Sequence, residues 1–169
     1  MPKRHLNTLY YSLICPYLTY GIILWGAASH VHLSKLIIMK IKSVRIITGA
    51  HYRAHTTPIF KHLHFLKLVD LYQLQVNKYV LSFLKVLLPS SLKHIFTLSQ
   101  NQHGHNTRHS TAYKLMVQKT RTLAACIIQM GPQTWNLLPY DIYMCTSLLI
   151  SCASFSSRFK RSTLEGYDD

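Results

Sequence analysis

From His5 to Ser34 the chain carries no Asp, Glu, Lys or Arg, and this gap restricts the available folds more than any other feature. A stretch that long without charge must be taken out of water by protein or by lipid. Leu9 to Ala28 is long enough for a bilayer, which takes roughly 20 apolar residues, and Lys3, Arg4 and Lys35 flank it. Its composition argues the other way. Tyr10, Tyr11, Tyr17 and Tyr20 are spread along it instead of gathering at the ends as an interfacial belt, and Pro16, Thr19 and Gly21 lie near its middle. The expectation is a helix pair in a protein core, broken near Pro16 because proline removes a donor and crowds the preceding turn. The alternative is a small basic membrane protein anchored through residues 9–28.

The remainder of the chain is cationic. Nineteen Lys and Arg face 5 Asp and Glu, for a net charge of +14. Glu165, Asp168 and Asp169 sit at the very end, so up to Leu164 the balance is 19 minus 2, or +17. A field of that sign draws nucleic acid or an anionic membrane surface. Apolar residues make up 49% of the 169 positions, which excludes disorder through low hydrophobicity and suffices for one cored domain or a piece of a larger one. Cys15, Cys126, Cys145 and Cys152 form no CxxC pair and no secretory signal fits the start, so they read as reduced, mostly buried thiols of an intracellular, reducing compartment.

Helical periodicity is plain after Gly26. Leu33, Leu36, Ile37, Ile41, Val44 and Ile47 share one helix face, with Ser29 as N-cap and Gly49 as stop. Lys40 falls on that apolar side and is expected to snorkel out. Thr57 before Pro58 reads as the N-cap of a short helix reaching about His64. Asp70 reads as the cap of a longer helix ended by Pro89, with Tyr72, Val76, Tyr79, Val80, Phe83 and Leu87 on its apolar side. On that reading Leu71, Leu74, Lys78, Leu81 and Lys85 form a mixed opposite side. Residues 97–112 are polar and turn-rich, a linker. Beyond them "YKLMVQKTRT" and "AACIIQM" read as strands, "GPQTWNLLP" as a turn with a short helix, and "SLLISCASFSSRFKRS" as a final helix.

Little in the chain suits catalysis. Asp70 and Asp141 are the only acids before the tail, too few for paired-carboxylate chemistry. The terminal "GYDD" puts Tyr167 directly before the aspartates, where Mg²⁺-binding polymerase motifs have one residue between, and no strand follows to hold it. His103, His105 and His109 cluster without a cysteine or an HExxH nearby, and read as a hydrated loop. No GxSxG, Gly-rich phosphate loop, metal site or cofactor site is recognisable. The informative segment is "KSVRIITGAHYRAHTTP", in which Lys42, Arg45, His51, Tyr52, Arg53, His55, Thr56 and Thr57 interleave cations with aromatic and hydrogen-bonding groups. Lys and Arg suit phosphates, and Tyr suits a base or sugar. A second group comprises Arg108 and His109, with Lys114, Lys119 and Arg121 on the expected strand. Arginine grips phosphate through two nitrogens at once, which puts Arg45, Arg53 and Arg108 first among these candidates.

Five ordered stretches carry a family resemblance: "LYYSLICPYLTYGIILWG" (9–26), "RIITGAHYRAHTTPIFKHLHFLKL" (45–68), "LLPSSL" (87–92), "HNTRHS" (105–110) and "GPQTWNLLP" (131–139). Together they resemble the region downstream of the polymerase core in jockey-like non-LTR (LINE-type) retrotransposon reverse transcriptases, over about residues 6–161. The resemblance implies a mainly α fold. A thumb-like helical bundle (1–96) would be joined by a linker (97–112) to a smaller mixed α+β extension (113–161) and an acidic tail (162–169), without fingers or palm. It also implies a truncated, non-catalytic fragment of an RNA-directed DNA polymerase. Such a fragment would help to hold template–primer RNA or DNA without base preference, and its natural neighbour would be the missing polymerase core. Two departures stand out: the chain opens just before the thumb-like helices, and residues 148–155 look stretched, as in a decayed copy. A translated relic with no selected role is the remaining reading.

Overall fold

The computed structural model describes residues 3–97, 99, 112–115, 120, 125–142 and 151–167. Among these the fold is mainly α. Helices α1 (Lys3–Leu9), α2 (Cys15–Thr19), α3 (Ile22–Trp25), α4 (His30–Thr48), α5 (Thr56–His62), α6 (Leu68–Leu84), α7 (Ile127–Asn136) and α8 (Cys152–Glu165) follow in order. They divide into two compact units, residues 1–72 with 159–169, and residues 73–158.

In the first unit the chain does not break at Pro16. Tyr10–Ile14 widens into a π-helix between α1 and α2, and the Cys15 N–H donates to Tyr10 O. The wider turn places the missing N–H and the ring of Pro16 where an α-turn would have left a clash. The break comes later, where Tyr20 turns extended and Gly21 enters the left-handed region at φ 59°. Tyr10, Val44, Ile47, Phe60 and Phe65 form the core, with Leu6, Cys15, Ile41, Ile59, Leu63 and Tyr167 packed against it. Tyr10 stacks on Phe65 with centroids 4.2 Å apart, and Tyr11 meets Phe65 edge-on at 5.2 Å. Such pairs contribute about 1 kcal/mol beyond the area they bury. Most of the uncharged run is not core, however. Tyr10, Leu18 and Ile22 are buried, whereas Tyr17, Tyr20, Leu24 and Val31 stand exposed. No helix of the described residues is long and apolar enough to cross a membrane.

Three helix ends use the same backbone device. After α4, Gly49 is left-handed (φ 70°), its N–H donates to Ile46 O and the Ala50 N–H donates to Arg45 O. His64 after α5 and Val86 after α6 repeat the pattern at φ 53° and 56°. Glycine holds this conformation without strain, while a β-branched side chain there is an outlier. Val86 is also two-thirds exposed, so burial offsets little of its strain. Val86→Gly is expected to stabilise the chain by about 1 kcal/mol, read as a higher urea midpoint, with Val86→Ala gaining less. A glycine variant less stable than the parent would refute this.

Helix α6 is buried nearly all round. Leu71, Leu74 and Leu81, expected on a mixed outer side, are as buried as Tyr72, Val76 and Val80. Asn77 is buried too, and its Oδ1 finds no hydrogen-bond partner. Asp70 lies inside the first turn of α6, not at its cap, and α5 is entered from His55, with Thr57 already helical.

In the second unit Phe96 gathers Tyr79, Phe83 and Tyr113 around it at 6.3, 5.0 and 5.8 Å. Thr97 and Ser99 are bonded to Lys114 and Ala112 in antiparallel fashion, the Ser99 N–H donating to Ala112 O and the Lys114 N–H to Thr97 O. Asn136 then imitates a strand partner: its Nδ2 donates to Tyr113 O (2.9 Å) and its Oδ1 accepts the Tyr113 N–H (3.1 Å). The strand expected over "AACIIQM" is not formed, because Ile127–Met130 opens α7. Gly131, Pro132 and Trp135 follow on the buried side of that helix, a helical spacing that a short apolar run does not reveal by itself. Of the other expected strand only Tyr113–Leu115 and Thr120 are described. Trp135 stacks on Phe155 of α8 at 6.1 Å, and Ser151 Oγ caps α8 by accepting the Ser154 N–H.

Candidate functional site

The cation-rich segment 42–57 folds into the end of α4, a tight turn and the start of α5. The Ala54 N–H donates to His51 O at 2.9 Å, which closes a β-turn with Tyr52 and Arg53 at its tip. The Arg53 N–H donates to Nδ1 of His51 at 3.3 Å. The His51 and Tyr52 rings lie 4.5 Å apart, tilted by 46°, and Arg53 Cζ sits 5.1 Å from the Tyr52 centroid, within cation–π range. Tyr52 and Arg53 are exposed, as are Lys42 on α4 and His55 just before α5. Acids are absent from the chain before Asp70, so no carboxylate in this segment neutralises the turn.

Arg45 stands apart from the other candidates. It is half-buried, its Nη2 donates to Ala54 O at 2.9 Å, and its Nε is buried with no hydrogen-bond partner. Much of the guanidinium is thus turned toward the protein, and the bond to Ala54 ties the turn down onto α4. No residue pattern announces this, because the partner is a main-chain carbonyl. Lys114 is exposed and belongs to the second unit. Arg108, Lys119 and Arg121 lie outside the described residues, as do the 103–109 histidines, Cys145 and the terminal aspartates.

A second constellation escaped the sequence reading. The Tyr167 hydroxyl donates to Asp70 Oδ2 and accepts the Lys67 N–H at 2.9 Å, while Lys67 Nζ lies 4.3 Å from the ring centroid. Burial, reinforced by the bond to Asp70, raises the pKa of this phenol well above the usual range. Nearby, Lys40 does not snorkel. It is buried on a cavity of about 150 Å³ that Ile37, Ile41, Phe60 and Lys67 also line, and desolvation lowers its pKa to about 8 against the opposing pull of Cys15 and Asp70. The second unit has a larger open groove of about 480 Å³, among whose lining residues are Phe83, Val86, Lys93, His94, Phe96 and Tyr113. Cys15, Cys126 and Cys152 are half-buried free thiols. Among the described residues no three His, Cys, Asp or Glu side chains gather as metal ligands would.

A 72-residue stretch, 43% of the chain, is 36% identical to the RNA-directed DNA polymerase from mobile element jockey of Drosophila melanogaster, and it spans 8% of that polymerase's length. No protein-family model matches the chain. No solved structure matches it. The chain therefore carries a region related to a jockey-type retrotransposon reverse transcriptase.

Proposed function

We propose that this chain acts as a non-catalytic, polymerase-derived nucleic-acid-binding segment that holds the phosphate backbone of template–primer RNA or DNA without base preference. The observation that carries the reading is the exposed Tyr52–Arg53 turn, tied to a helix by Arg45 in a region without a single acid. The relation to a polymerase that copies RNA into DNA points the same way. Lys42, Arg53, His55 and Lys114, with Arg108, Lys119 and Arg121, are the proposed phosphate contacts. Arg45 serves chiefly to position the turn, because its guanidinium is engaged by Ala54. A polymerase core is the proposed protein neighbour.

Salt separates these roles. Affinity for a primer–template should fall steeply between about 50 and 200 mM salt, since each neutralised phosphate releases counterions. Arg53→Gln should make the log–log slope shallower by about 0.9, the worth of one duplex phosphate contact. Arg45→Gln should weaken binding and leave the slope nearly unchanged, because it removes a support and not a phosphate contact. Binding that hardly responds to salt would refute the reading, as would nucleotide incorporation by the purified chain.

A further inference from the structure

We propose that the turn at residues 51–54 is a stacking platform for an unpaired nucleobase, with the Tyr52 ring as the platform. This deepens the nucleic-acid reading above and rests on it. Tyr52 is 63% exposed, and unlike the more exposed Tyr17 and Tyr20, which lie in the uncharged run, its ring has an arginine beside it. It is also held ready. The 51–54 hydrogen bond closes the turn beneath it, His51 and Arg53 flank it, and Arg45 fixes the far side of the turn to α4. A ring restrained on several sides loses little further freedom when a flat partner settles on it.

The chemistry selects the class of ligand. A duplex keeps its base faces inside the stack, so an exposed tyrosine reaches them only at an end. A single strand presents a π-face with every nucleotide, and aromatic side chains take it up with little regard to sequence. Arg53 flanks the ring and Lys42 is exposed on α4, cations available to the phosphates of a bound strand, and residues 1–69 contain no acid to repel them. The turn therefore favours unpaired stretches, and the cationic surface as a whole supplies the non-selective part of the affinity.

Fluorescence anisotropy on the full chain tests this with three probes. They are a mixed-sequence single-stranded DNA of about 16 nucleotides, the upper end of a single-strand site, the blunt duplex of the same length, and an abasic single strand. Tyr52→Ala is expected to weaken the mixed-sequence strand about tenfold and to change duplex and abasic affinities less than about twofold, whereas Tyr52→Phe keeps the preference. The platform is overturned if Tyr52→Ala leaves the single-strand affinity intact or lowers all three alike. Failure of the parent chain to bind any probe would instead remove the nucleic-acid reading on which the platform depends.

Discussion

A Lys40→Met chain is expected to be more stable than the parent at pH 7 by about 3 kcal/mol. The figure follows from the gap between the usual lysine value of 10.5 and about 8 in the fold, at roughly 1.4 kcal/mol per unit. Methionine keeps the apolar stem among Ile37, Ile41 and Phe60 and drops the charge whose desolvation causes the shift. The pH dependence has a definite sign. At pH 7 the amine is protonated folded and unfolded alike, so the whole cost of burying it is felt. Above about pH 8 the folded chain releases the proton while the unfolded chain keeps it to about 10.5, so stability rises through that interval. Lys160, lowered by burial, acts in the same direction. Tyr10 and Tyr167, raised by burial, act oppositely above about pH 10, where only the unfolded chain gives up their protons. Urea midpoints at about pH 7 and 9.5 should therefore increase for the parent and change much less for Lys40→Met. Equal stability of the two proteins at pH 7, with the same pH response, would contradict a buried ammonium.

Gly26→Ala is expected to cost about 3 kcal/mol, at the upper end of what overpacking usually costs. The backbone does not require glycine there, since φ is −68°. Space does. A Cβ on Gly26 would lie 2.9 Å from Tyr72 Cγ and nearer still to Cδ2, and Tyr72 is a buried ring that cannot swing away. Gly131 repeats the situation inside α7, where a Cβ would come within 2.8 Å of Phe96 Cζ and 3.2 Å of Val80 Cγ2. Alanine would gain about 1 kcal/mol of helix propensity at that position, so Gly131→Ala should lose less, about 1–2 kcal/mol net. Gly49 is the control: nothing lies within 4 Å of its would-be Cβ, and alanine there meets only the left-handed backbone. Chemical denaturation should rank Gly26→Ala as the most damaging of the three. A Gly26→Ala protein as stable as the parent would show that the Tyr72 contact relaxes freely.

What could be read from the residues depended on whether periodicity or a partner decided the outcome. Helix α4 was legible because six apolar residues share one face and Gly49 can take φ 70°. The mainly α character followed from the family resemblance, with such periodicity beside it. The break near Pro16 was misplaced because a π-turn absorbs the proline, a solution that leaves no mark in composition. Ile127–Met130 reads as strand because its three apolar residues, Ile127, Ile128 and Met130, fit either period, and only Trp135 and Pro132 on the buried side reveal the helix. The cationic segment was legible as a group, but the inward aim of Arg45 was not, since Ala54 O has no signature. Tyr167 looked like part of an acidic tail, and its role as a latch on Lys67 and Asp70 depends on residues about a hundred positions away.

The exposed side chains of Tyr17, Tyr20, Leu24 and Val31 set a limit on how this molecule can be handled. Like charge holds copies of a +14 chain apart in dilute buffer. At about 1 M salt the screening length shrinks to about 3 Å, and sulfate-type salts also favour apolar cohesion. A brine strong enough to strip a polyanion held as proposed is thus the medium in which those tyrosines and aliphatic groups cling to one another. Detachment and precipitation are driven by one knob turned in one direction.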